Sequence, residues 1–135
     1  MTKILDTPVG PIPNYFTPSS FGSLEIRSTK NTEFIGQIID YKNLQQTQMI
    51  SIDDMELVRL DFIKIDIEGM EMEALNGAKE TIIRTRPQMM IEKIKSNEDE
   101  IGRFLVNHGY KTFPMGLNIL AIHESDPLSS QIQIT

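Results

Sequence analysis

Residues 61–75 read DFIKIDIEGMEMEAL, and the order of residue types changes at Gly69. Before it, Phe62, Ile63, Ile65 and Ile67 are β-formers bounded by a glycine, which predicts a strand over Asp61–Ile67. After it, Met70, Ala74, Leu75, Ala78 and Ile82 recur at helical spacing, with Glu71, Glu73, Lys79 and Glu80 largely on the other side. That spacing predicts one amphipathic helix, with Arg84 and Arg86 suiting its carboxyl end and Pro87 stopping it. Side chains alternate along a strand, so Lys64, Asp66 and Glu68 share one face and Ile63, Ile65 and Ile67 the other. Ionised groups are costly to bury alone, so the first face is either wet or a place where charge is used.

Outward from this stretch, Met89–Ile94 reads as a second strand and Asn97–His108 as a second helix built on Ile101, Phe104 and Leu105. Gly109 ends that helix as a terminal glycine does. Lys111–Phe113 and Asn118–His123 follow as an antiparallel pair joined through Pro114, Met115 and Gly116. Upstream, Phe34–Ile39 and Gln48–Ile52 read as short strands, with Asp53 and Asp54 as a turn or helix cap. Pro8, Pro11, Pro13 and Pro18, with Gly10 and Gly22, make residues 1–33 read as irregular chain carrying a candidate short strand at Ser23–Arg27. Residues 34–124 then form the folded domain, and 125–135 a polar, flexible tail. Strand, helix, strand, helix and a strand pair is an α/β pattern, expected to give a mostly parallel sheet with a terminal antiparallel strand pair.

A chain of 135 residues has room for one domain core. The net charge of −6 and pI near 4.9 disfavour nucleic acid as a partner, because such binders carry a basic stripe. Cysteine is absent, which excludes disulfides and thiolate sites. No leader opens the chain and no apolar run reaches the roughly 18 residues of a membrane span, so a cytoplasmic protein without a membrane partner is expected. Neither a GxGxxG turn, a P-loop nor a GxSxG elbow occurs.

Ligands of open α/β sheets bind beyond the carboxyl ends of parallel strands. Asp66 and Glu68 lie at that end of the first strand and Glu92 near that end of the next, so three acids are expected to converge. The local pattern by itself favours a structural explanation: Lys64 pairs with Asp66, Glu68 is solvated and Glu71 caps the helix. Asp66, Glu68 and Glu92 are also oxygen donors suited to a hard cation, but their spacing is no recognised metal loop and no metal is assigned. His108 and His123 read as helix-end and strand-surface residues, and Met70, Met72, Met89 and Met90 as core filler.

Residues 51–94, SIDDMELVRLDFIKIDIEGMEMEALNGAKETIIRTRPQMMIEKI, resemble the signature region of the FkbM family of S-adenosylmethionine-dependent methyltransferases. The family pattern is a strand ending in K-x-D-x-E-G-x-E, a helix with L-x-G-A, and R-P before a strand ending in glutamate. Lys64, Asp66, Glu68, Gly69, Glu71, Leu75, Gly77, Ala78, Arg86, Pro87 and Glu92 match it. Upstream NYFTPSSFGSLEI and downstream HGYKTFPMGLNILAI are similar too, so the resemblance spans about Asn14 to Glu124. It implies a Rossmann-like sheet with Phe62–Ile67 as fourth strand and Met89–Ile94 as fifth. It also implies methyl transfer from S-adenosylmethionine to a hydroxyl oxygen of a small metabolite or sugar. Asp66 and Glu68 become the catalytic candidates, and Lys64, Glu71 and Glu92 bind the acceptor or support the loop. The family's first strand, glycine-rich turn and ribose-binding acid have no counterpart here, so the chain is expected to match the carboxyl-terminal half of the domain. That half leaves the cofactor-binding residues unassigned and the sheet edge to be covered by a second chain or another copy. A non-catalytic remnant or interaction module pairing through that edge is the alternative.

Overall fold

The computed structural model describes residues 3–9, 40–67 and 69–132. The strands expected at Ser23–Arg27 and Phe34–Ile39 lie outside these residues, and so does Glu68. The chain divides into two compact units, Met1–Ile50 and Ser51–Thr135.

In the first unit, strand β1 (Lys3–Val9) pairs antiparallel with β2 (Asp40–Met49), Lys3 standing opposite Met49. Lys3 to Thr7 contain no proline, so this stretch keeps its backbone donors despite the prolines that follow. The register shifts between Pro8 and Val9, next to the one residue of β1 that has no N–H to give the ladder. Of the strand expected at Gln48–Ile52, Gln48 and Met49 belong to β2, which reaches back to Asp40.

The second unit is an α/β layer. Its elements are a short 3₁₀ turn (Asp53–Met55), β3 (Phe62–Ile65), α1 (Glu71–Gly77), α2 (Lys79–Thr85), β4 (Gln88–Glu92), α3 (Glu98–Asn107), β5 (Tyr110–Met115) and β6 (Asn118–His123). The four strands lie in the order β3-β4-β6-β5. β3 and β4 are parallel, but β4–β6 and β5–β6 are both antiparallel, so the sheet is mixed and the expectation of a mostly parallel sheet is corrected. The cause is the two-residue turn at Gly116 and Leu117, which sends β6 straight back along β5. β6 then inserts between β5 and β4, and one reversed strand makes two antiparallel pairs.

The single helix expected between Gly69 and Pro87 is two. Ala78 leaves helical geometry (φ −115°, ψ 5°), and Asp53 supplies the reason. Its carboxylate accepts from the amides of Glu80 (3.1 Å) and Thr81 (2.8 Å), the first-turn donors of α2. A cap delivered from 27 residues away starts α2 afresh where the spacing alone would continue α1. A Cβ on Gly77 would stand 3.2 Å from the Cβ of Ser51, so glycine lets the capping segment approach. At the other end of α2 the Arg84 guanidinium donates to the carbonyls of Leu57 and Val58.

Ile65, Met89, Ile91, Ile119 and Ala121 project from one face of the sheet into a core with Leu75, Ile82, Ile101, Phe104 and Leu105 of the three helices. α3 begins at Asn97, whose side chain accepts from the Glu100 amide, and its apolar residues fall on the buried side as their spacing predicts. After Glu124, Asp126 caps a 3₁₀ turn (Pro127–Ser130), Gln88 donates to Asp126, and Ser129 is buried. Among the described residues no helix is long and apolar enough to cross a membrane.

Candidate active site

The parallel register sets Phe62 beside Gln88 and Lys64 beside Met90, so Asp66, just past the ladder, comes level with Glu92. These two carboxyls thus sit at the carboxyl ends of adjacent parallel strands, within hydrogen-bonding reach of each other. Lys64 Nζ lies 2.5 Å from Asp66 Oδ2, and alternation along β3 turns both away from the helix-covered core. The hydrogen bond from Lys64, with its positive charge, holds Asp66 below the usual aspartate range against the opposing effect of partial burial. The same bond raises Lys64 above the ordinary lysine value. Lys64, Asp66 and Glu92 are therefore brought together, as an ionised acid and a base-paired cation flanked by a second acid.

Glu71 stands elsewhere. The helical pattern sets it on the polar side, yet it is 1% exposed, because its side chain turns back over its own loop. Its Oε1 accepts from the amides of Ile67 (3.0 Å) and Gly69 (3.3 Å), and its Oε2 accepts from the Ser96 hydroxyl. One buried carboxylate thus fastens the loop after β3 to the loop after β4. Gly69 has φ +93°, and a Cβ there would meet the Lys95 carbonyl at 3.2 Å, so both its backbone angle and the close approach of the two loops call for glycine. Asp53 reads in the sequence as a cap, but of the turn beside it and not of a helix 27 residues on, and Ser96 carries no pattern of its own, since the Ser-Asn-Glu run at 96–98 signals only a helix start.

On the helix side of these loops a cleft of about 320 Å³ opens between α1 and α3, with Met72, Glu73 and Asn76 on one wall and Lys95, Asn97 and Glu100 on the other. His108 caps α3 and stacks on Phe104, and His123 ends β6 with Nδ1 bonded to Ser125, so neither histidine borders the Lys64–Asp66–Glu92 group. Among the described residues no group of three histidine or acidic side chains is placed to hold a metal ion.

Comparison with known proteins gave no match among curated proteins and none among solved structures. The family model described as the Methyltransferase FkbM domain matches residues 6–112, a span that contains β3, both loops and β4. With that span covering most of the sequence, and the Lys64–Asp66–Glu92 group inside it, the chain belongs to the FkbM methyltransferase domain family.

Proposed function

We propose that the chain takes part in S-adenosylmethionine-dependent methyl transfer to a hydroxyl oxygen of a small acceptor, a metabolite or sugar, with Asp66 as general base. The observation that carries this reading is the Lys64–Asp66 pair level with Glu92 at the ends of two parallel strands. A hydroxyl attacking a methyl group must lose its proton as the new bond forms. A carboxylate kept ionised by a neighbouring ammonium is ready to accept that proton. Glu92 and Glu68 are assigned to acceptor hydroxyls, Lys64 to holding Asp66 in its ionised form, and Glu71 to bracing the loop on which Asp66 rides.

S-adenosylmethionine, when bound, supplies a methyl group activated on a sulfonium cation. Asp66 and Glu92 present carboxyl oxygens at the strand ends, groups suited to lie beside that cation. None of the described residues is assigned to its adenosine. The four-stranded unit is read as the carboxyl-terminal side of a Rossmann-like methyltransferase sheet, with β3 at the end of the strand order.

Asp66→Asn tests the assignment: methyl transfer is expected to fall by about 100-fold or more, because the amide cannot accept a proton. Unchanged turnover removes Asp66 from the mechanism. Calorimetric titration with S-adenosylmethionine tests the cofactor separately, and absence of heat together with absence of methyl transfer rejects an enzymatic role for this chain.

A second reading, a module that docks another chain or another copy at the edge of β3, is favoured by Phe62, a large apolar side chain at that end of the sheet that is 50% exposed. Light scattering that finds only monomer at high concentration rejects self-association, and a Phe62→Lys variant that keeps the same mass distribution does so independently.

A further inference from the structure

We propose that the cleft between α1 and α3 is a small-molecule site in its own right, taking a single-ring, hydroxyl-rich ligand that carries a protonated amine. The cleft lies among the helices, whereas Lys64 and Asp66 project from the opposite side of β3. Its volume of about 320 Å³ sits at the small end of the roughly 300–1,000 Å³ typical of ligand sites, which suits one ring and its substituents. Glu71 fixes its shape beforehand by tying the Gly69 loop to Ser96, both of which border the cleft.

The lining selects the chemistry. The Asn76 amide offers a donor and an acceptor suited to hydroxyl groups, and the Asn97 amide, its oxygen accepting from the Glu100 N–H, adds its NH₂ donors. Among the described lining residues only Met72 supplies a large apolar surface, so a ligand without polar substituents would leave those amides unanswered. Among the described lining residues Glu73 and Glu100 stand on facing walls against one cation, Lys95, giving that lining a net negative charge. The amino end of α3 would otherwise attract an anion, but Asn97 caps the Glu100 amide and Glu98, Asp99 and Glu100 load the first turn with negative charge. A cationic ligand is therefore preferred to an anionic one of the same size.

Three probes of one ring size separate the parts of this claim: D-glucosamine, D-glucose and D-glucuronate, each titrated into the full chain and followed by amide-resolved NMR. Expected are shifts confined to residues 69–76 and 95–100, with affinity falling from glucosamine through glucose to glucuronate. Glu100→Gln should weaken glucosamine by about fivefold and leave glucose within about twofold, the scale of a partly exposed ionic contact. Asp99→Asn, on the same turn but outside the cleft, should change neither. Shifts elsewhere, no shifts with any sugar, glucuronate binding as tightly as glucosamine, or an equal loss in Asp99→Asn each overturn the proposal. None of these readings depends on methyl transfer.

Discussion

Replacing Lys64 by methionine removes the ammonium that keeps Asp66 ionised below the usual aspartate range. In the wild-type chain Asp66 stays a base to below the ordinary value of about 3.9, and in Lys64→Met its titration should move up toward that value. Carboxyl-resolved NMR of Asp66 measures the shift directly, and the acid limb of the methyl-transfer rate should move in the same direction. The pair is exposed, so its loss should change stability little. Tyr110 is a contrasting residue. It is 4% exposed, its hydroxyl has no hydrogen-bond partner among the described residues, and burial pushes its pKa up to about 12. Tyr110→Phe removes a polar group that gains nothing from being buried, so thermal melting should show no loss and a gain of up to about 1 kcal/mol. Both residues are plain letters in the sequence; the Lys64–Asp66 pairing follows from alternation along one strand, while the stranded hydroxyl of Tyr110 depends on neighbours from several elements.

At the scale of elements, Asp53 sets where α2 begins and Glu71 fastens the loops after β3 and β4, and the two test differently. Asp53→Ala uncovers the Glu80 and Thr81 amides and should cost about 1–2 kcal/mol in denaturant unfolding, the usual value of a helix cap. Glu71→Ala leaves the Ile67 and Gly69 amides and the Ser96 hydroxyl without their shared acceptor, a loss on the order of 2–3 kcal/mol. It should also speed hydrogen exchange at Ile67 and Gly69 well beyond the change in global stability, and equal protection at those amides would show that Glu71 does not hold the loop. Strand β3, the core face of α3 and the hairpin β5–β6 were legible because local spacing fixes which residues turn inward. The break at Ala78 was not, since it is decided by a partner 27 residues away, and neither was the burial of Glu71, whose carboxyl joins the amides of its own loop to Ser96, 25 residues on.

For the unit spanning Ser51–Thr135 as a whole, the mixed sheet shows the same limit: the strand pair was readable, but not that its second strand would slide in beside β4. That placement carries His123 to the end of the sheet, edge-on to Tyr110 and near Arg86. Burial, then the Arg86 charge, lowers His123 below the ordinary histidine value, while Glu124 opposes the shift. Asp66 and Asp126 are lowered as well, by hydrogen bonds from Lys64 and Gln88. A group lowered on folding binds its proton more readily in the unfolded chain, so its stabilising contribution is complete above its unfolded pKa and disappears as pH falls through the folded one. The melting temperature should therefore be level above a pH of about 6.5, decline as His123 titrates, and decline only slightly further below about 4, because Asp66 and Asp126 are solvent-screened. His123→Gln keeps a polar side chain at that position but cannot take up the proton, so it should flatten the first decline and leave the second. A first decline of undiminished size in that variant would show that the loss of stability near neutral pH arises elsewhere in the chain.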